Sequence, residues 1–201
     1  MYFRASNIMF APIASNGMDT ETALPTYGTA VKIGSLNRIS DNIDRVEASG
    51  YGENARKVHV DEFRSYGLDV EITHIPRATY ASLNGASVDT SSKDITFKDN
   101  DQAPYGGLVC VRGGRDDDIA KVLGATSRKD GYVGVYYPKL KSAMQGKDIS
   151  TKGENITLVT EKLHFAGLAC KNHVWCEESD EFATEAEAVT WCKTKLGVSS
   201  D

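Results

Sequence analysis

The clearest indication of the fold is the stretch Leu68-Asp-Val-Glu-Ile-Thr73. Apolar and polar residues alternate strictly along it, and a period of two is typical of a β-strand that has one buried and one exposed face. The alternation places the three apolar side chains in the core and leaves Asp69, Glu71 and Thr73 on the opposite face. The stretch therefore predicts an antiparallel sheet with one face turned to a core.

Similar short segments occur along most of the chain. Turn signals such as Asn84-Gly85 and Asp130-Gly131 separate them, and this spacing is typical of an all-β sandwich or barrel. Besides 68–73, the predicted strands lie at 31–33, 58–60, 95–97, 108–111, 133–137, 156–160, 163–169 and 174–175.

Two segments have helical signals. The first, 76–84, begins with a proline and ends at Asn84-Gly85, which suit the start and the stop of a helix. The second, 184–196, opens with Thr184-Glu-Ala-Glu187, a capping box, and carries Val189, Cys192 and Leu196 on one stripe. The predicted fold is mainly β within the α+β class: an antiparallel β-sandwich with a short helix and a C-terminal flanking helix.

Residues 1–28 show no stable hydrophobic period and contain Asn16-Gly17 and Pro25. We expect an N-terminal arm or loop there, followed by a single domain over 29–201. The large apolar side chains of this N-terminal arm need to be covered, either by the body of the subunit or by a neighbouring subunit. The candidate contacts between subunits or rings are Phe3, Ile8, Met9, Phe10 and Ile13.

The composition excludes several classes of protein. The chain has 201 residues, 25% charged and 40% hydrophobic, with a net charge of −5; this is globular composition, and the acidity disfavours a protein that grips phosphate backbones. No apolar run approaches the roughly 20 residues of a membrane span. Asn7 and Pro12 interrupt the N-terminal apolar stretch, so we expect synthesis without secretion.

The sequence carries little sign of catalytic chemistry. One possible zinc-binding pattern, C-x2-H-x2-C, is formed by Cys170, His173 and Cys176, with Cys192 further along the chain. This spacing is unusual for a zinc site, and the pattern straddles a predicted turn. Buried thiols and a surface histidine are the favoured interpretation. We find no nucleophile elbow, zinc-protease motif or P-loop. The prediction is a protein that is not an enzyme, with no cofactor and no metal.

Several ordered motifs resemble a known family. Tyr51-Gly-Glu-Asn-Ala-Arg56 comes first, and the strand 68–72 then leads to the helix and turn at 76–85. Asp101-Gln-Ala-Pro-Tyr105 precedes the strand that ends at Val111. Tyr136-Tyr-Pro-Lys139 leads to Thr151-Lys-Gly-Glu-Asn-Ile156, and an acidic, tryptophan-containing helix closes the order.

In this order the motifs resemble the major tail proteins of long, non-contractile-tailed phages and prophages of Gram-positive bacteria, the building blocks of the tail tube. The resemblance covers residues 30–197 and is weakest over 1–28; Cys170, Cys176 and Cys192 are not part of it. It implies a tail-tube β-sandwich that forms hexameric rings, which stack into a tube for DNA ejection.

The resemblance also implies partners and a location. The chain would bind copies of itself, the tape measure protein, the tail terminator and the distal tail protein, with transient passage of double-stranded DNA and no membrane. It would be assembled in the host cytoplasm and reside in the virion tail. If the polar face of the strand 68–73 lines the tube, Asp69 and Glu71 would form acidic circles that repel the passing duplex.

A second function class remains open, a carbohydrate- or surface-binding β-sandwich module. Its signal would be a set of aromatic side chains exposed on one sheet face, for which Tyr132, Tyr136, Tyr137 and Trp175 are the candidates. Cross-strand packing is the commoner use of such residues.

Overall fold

Ten strands and two helices form the described part of the computed structural model, which comprises residues 2–52, 55–89, 91–115, 130–143 and 160–198. The strands are β1 Tyr2–Pro12, β2 Val31–Lys32, β3 Leu36–Gly52, β4 Ala55–Ile72, β5 Ser87–Val88, β6 Ile95–Thr96, β7 Gly106–Arg115, β8 Asp130–Ala143, β9 Glu161–Gly167 and β10 Glu177–Glu178. The helices are α1 Arg77–Leu83 and α2 Glu185–Lys195.

One curled antiparallel sheet organises the molecule. Its strand order is β2-β1-β7-β8-β9-β4-β3, and β10 adds to β8 beside β9. Residues 33–35 connect β2 to β3, the two outermost strands of this order. At one end the Ile33 N–H donates to the Ile8 carbonyl on β1 at 3.2 Å, and at the other the Ser35 carbonyl accepts from the Thr73 N–H just after β4 at 3.0 Å. The sheet therefore folds back on itself, which confirms the predicted mainly β, antiparallel, sandwich-like fold.

The main core lies inside the curl. Leu68, Val70 and Ile72 are buried there, as the alternation along 68–73 predicts. They pack with side chains of the facing strands, among them Ile8, Phe10, Leu108, Tyr137 and Phe165. Burial of these apolar side chains supplies the main driving force for folding.

A second apolar layer lies between α2 and the outer face of β1, β7 and β8. Thr184 and Glu187 form the predicted capping box, and Ala188, Cys192 and Leu196 are buried against the sheet. A side chain on Gly134 would come within 2.5 Å of the Trp191 ring, so the absence of one lets the helix approach. The helical prediction for 184–196 is confirmed, although Val189 is only partly buried.

Helix α1 confirms the prediction for 76–84. Pro76 occupies the N-cap, Asn84 the C-cap, and Gly85 follows with φ +73°, the left-handed conformation that ends many helices. Leu83 is buried in the main core and fastens the helix to the sheet.

The expected N-terminal arm is wrong for residues 2–12. They form β1, a strand inside the sheet between β2 and β7. Asn7 has φ +52°, and the pairing with β7 shifts between Ser6 and Met9. Such a bulge inserts an extra residue and breaks the period of two, so no strand pattern is visible in the sequence.

Two other strand predictions need correction, and a third falls largely outside the described residues. Segments 58–60 and 68–73 belong largely to one strand, β4, and its partner β3 was not predicted. No strand forms at 174–175; the chain pairs with β8 slightly later, through β10. Residues 156–159 of the predicted strand 156–160 lie outside the described residues.

Candidate assembly surface

Strands β3 and β4 continue well beyond the rest of the sheet. The pairing of β4 with β9 ends at Tyr66 opposite Gly167, whereas β3 and β4 remain paired to Gly52 and Ala55. We call the extension with described side chains the ribbon: residues 43–47 on β3 and 61–65 on β4. Ile43 and Val46 are 37% and 50% exposed, and their odd spacing on β3 places them on opposite faces of the ribbon.

Charged residues dominate the rest of the ribbon. An Arg45 Nη donates to an Asp61 Oδ at 2.7 Å, and Arg64 lies 3.8 Å from Asp44. Exposed pairs of this kind add little stability. With Glu47 and Glu62 included, the ribbon contains four carboxylates and two arginines, so it is acidic.

The outer edge of β3 is a second unusual feature. This 17-residue strand is the last in the sheet order, and no strand of the described ranges pairs with its outer side. Backbone N–H and C=O groups along such an edge are free to pair with another chain. A long ribbon with one such edge is a surface suited to assembly.

The N-terminal contact candidates divide into three groups. Ile8 and Phe10 are buried in the main core, where the Phe10 ring stacks 6.3 Å from that of Phe165. The subunit itself covers these two, and the prediction that they contact other subunits is corrected accordingly. Met9 and Ile13 are partly exposed, and the Phe3 side chain lies outside the described part.

Asp69 and Glu71 lie on the face of β4 that points away from the core, and neither of the two described helices packs on this face. The Asp69 carboxylate is 2.8 Å from His164 Nδ1 on β9. The register places Glu71 between Arg38 on β3 and Lys162 on β9. A surface depression of about 280 Å³ is bordered by Asp69 and Glu71 together with Arg38 and Lys162. This face therefore carries both positive and negative side chains, whereas the sequence analysis had predicted only carboxylates on it.

The candidate zinc ligands do not come together. Cys170 is buried, His173 is exposed, and Cys176 packs against the main core, whereas Cys192 lies in the layer under α2. Among the described residues no group of histidines, cysteines and carboxylates could hold a metal ion. Burial raises the pKa of the Cys170 thiol to about 11 and that of Cys176 to about 12. Protonated thiols of this kind are weak ligands and nucleophiles.

The four aromatic candidates for sugar binding do not share an exposed face. Tyr136 and Tyr137 are buried, and they point into different apolar layers. Trp175 stacks on Phe63 at 5.7 Å and also contacts Tyr66 and Tyr137. Tyr132 packs in the layer under α2. These residues serve the cores, as cross-strand aromatics commonly do.

Comparison with known proteins found no matching family model and no matching curated protein. Among the described residues, no helix is long and apolar enough to cross a membrane.

Proposed function

We propose that this chain is a structural virion protein that polymerises as stacked hexameric rings into a phage tail tube, the conduit for DNA ejection. The observation that carries the proposal is the ribbon with its open β3 edge. The 17-residue strand β3 has no strand of the described ranges on its outer side, and monomeric proteins avoid long unprotected edges because they pair with other chains. A self-assembling protein has a use for such an edge.

The remainder of the molecule supports a structural role. Three of the four cysteines are buried and Cys176 is half-buried, and burial raises the pKa of Cys110 and of Cys192 to about 12, which disfavours catalytic use. The two His–carboxylate contacts, His164 with Asp69 and His74 with Glu161, are exposed, and neither has a hydroxyl or thiol nucleophile as a described partner. We infer that the protein has no catalytic site.

The conduit proposal draws on the uncovered face of β4 and its neighbours. Among the described residues of this face, Asp69 lies beside His164, and Glu71 lies between Arg38 and Lys162. Carboxylates therefore alternate with these cations, which disfavours retention of a phosphate backbone. In the proposed tube this face lines the channel, and DNA passes without specific contacts. The tape measure protein, the tail terminator and the distal tail protein are the proposed partners of the tube in the virion.

Sedimentation velocity of the purified full chain over a wide concentration range tests the proposal. We expect large assemblies above a threshold concentration, with few species intermediate in size between the subunit, the ring and the polymer. A single species of subunit size at every concentration would contradict it.

A further inference from the structure

A second exposed apolar surface lies where the loop 14–26 meets the turn after β9. Met18 and Leu168 are 54% and 42% exposed. The Leu168 N–H donates to the Lys139 carbonyl at 3.0 Å, and Asp19, the neighbour of Met18, accepts a hydrogen bond from Lys139 Nζ at 2.7 Å. These contacts bring the two apolar residues to one corner of the subunit, which we call the Met18–Leu168 patch.

Buried polar contacts hold this corner in place. The Asp19 side chain is fully buried, and its second oxygen accepts a hydrogen bond from the Lys171 N–H at 2.7 Å. The loop is closed by hydrogen bonds between Ala14 and Thr26 and between Thr26 and Gly17. A surface that is already ordered loses little conformational entropy when it binds a partner.

The charges around the patch are opposite to those of the ribbon. Lys171 is exposed beside Asp19, and Lys141 is exposed two residues beyond Lys139 on β8. Lys139 compensates Asp19, and the exposed carboxylate of the loop is Glu21. The patch therefore keeps a net positive charge, whereas the ribbon has two more carboxylates than arginines. Complementary charge of this kind orients two surfaces and speeds their association.

We propose that the ribbon of one copy docks on the Met18–Leu168 patch of a neighbouring copy. Val46 packs against Met18 and Leu168, and the ribbon carboxylates face Lys141 and Lys171. The inference rests on the proposed function, because it takes a second copy as the partner. Because the two surfaces differ, each contact leaves one free ribbon and one free patch, and the contact repeats into rings or open polymers. A contact between two ribbons would instead stop at a dimer.

A charge exchange between the two surfaces tests the contact. Leu168→Glu places a carboxylate opposite the acidic ribbon, and we expect the threshold concentration for assembly in sedimentation to rise by about tenfold or more. Val46→Lys, combined with Leu168→Glu in the same full-length chain, restores most of the assembly by pairing the two new charges. Met18→Glu repeats the test from the other side of the patch. The matched control is Val88→Glu, because Val88 on β5 is also exposed, at 39%, but lies outside both surfaces.

Each outcome supports or overturns the contact. Thermal melting checks that the variants fold. We expect them to fold because the replaced side chains are exposed. Loss of assembly in Leu168→Glu and Met18→Glu, with recovery in the combined variant, supports the contact. Assembly of both patch variants at the threshold of Val88→Glu overturns it and leaves the proposed function intact, and failure of the combined variant to recover overturns the pairing with Val46. A wild-type chain that stays monomeric overturns both proposals.

Discussion

Asp19 illustrates how one buried carboxylate can organise a surface. It connects the loop 14–26 to β8 through Lys139 and to the turn after β9 through the Lys171 N–H. Burial alone would raise the pKa of Asp19, but the two hydrogen bonds and the charge of Lys139 outweigh it, and the pKa lies below its ordinary value of 3.8. The charged form is therefore stabilised in the folded state.

The sign of this shift predicts a pH dependence. The unfolded chain binds a proton at Asp19 more readily than the folded chain, so the stabilisation is present above about pH 4 and is lost as the pH falls through the folded pKa. We expect Asp19→Asn to lower the free energy of unfolding by roughly 1–3 kcal/mol at pH 7, with a gap to wild type that narrows towards pH 3. Denaturant unfolding at several pH values measures this, with the exposed Asp94→Asn as control. A gap that stays constant down to pH 3 would show that the charge is irrelevant.

At the scale of elements, α2 is attached to the sheet by one row of side chains. Leu196 is 1% exposed and lies with Ala188 and Cys192 in the layer over β7 and β8, whereas Val189 is only partly buried. We expect Leu196→Ala to cost about 2–4 kcal/mol of unfolding free energy, because it leaves a cavity. Val189→Ala is the matched comparison and should cost clearly less. Equal losses, measured by denaturant unfolding, would mean that the helix packs differently.

The ribbon gives a second prediction at this scale. Replacing residues 47–61 with Asn-Gly would join Val46 to Glu62, which are register partners, through a two-residue hairpin turn. We expect the shortened chain to melt within a few degrees of wild type, because residues 47–52 and 55–61 pair only with each other among the described strands. We also expect it to lose assembly in sedimentation. Assembly at the wild-type threshold would show that residues 47–61 are not needed for the contact.

Strands and helices could be predicted from the sequence where one of their faces is buried in a core, because the apolar residues then recur with a regular period. The segment 68–72 of β4 and helix α2 each have one buried face, and both were predicted, although β4 begins well before residue 68. By contrast, Leu36, Ile39, Ile43 and Val46 on β3 are spaced as in a helix. The register shift after Leu36 adds a residue to β3, so Leu36 and Ile39 both pair with buried residues of β4, whereas Val46 lies on the face opposite Ile43. The ribbon also has no buried face along most of its length, so no alternation marks it.

The site was less predictable than the fold. The apolar N-terminal segment was visible, but sequence alone left open whether the subunit or a neighbour covers it; Ile8 and Phe10 are covered by the subunit. The carboxylates of β4 were placed correctly on the outer face, whereas the cations beside them come from β3 and β9 through pairing between distant segments. The Met18–Leu168 patch likewise depends on contacts across more than 100 positions, such as Asp19 with Lys139.

On the scale of the whole molecule, the uncovered face of β4 gives a prediction about DNA passage. Asp69→Lys combined with Glu71→Lys would leave Arg38, Lys162 and His164 without opposite charges and make the face strongly cationic. In a phage carrying this chain, we expect tubes to assemble but DNA ejection to slow, with added salt partly restoring the rate. Asp94→Lys with Asp99→Lys, on the exposed segment around β6, is the control. Normal ejection at low salt would place the β4 face outside the channel.

The central claim is that copies of this chain build a hollow tube. Electron microscopy of the purified full-length protein, over a concentration series that crosses the sedimentation threshold, tests it most directly. The account predicts rings with a central channel in end views and tubes of constant width in side views. The ribbon-shortened chain should give neither. Wild-type protein that shows only separate subunits, or solid aggregates without a channel, at every concentration would contradict the account.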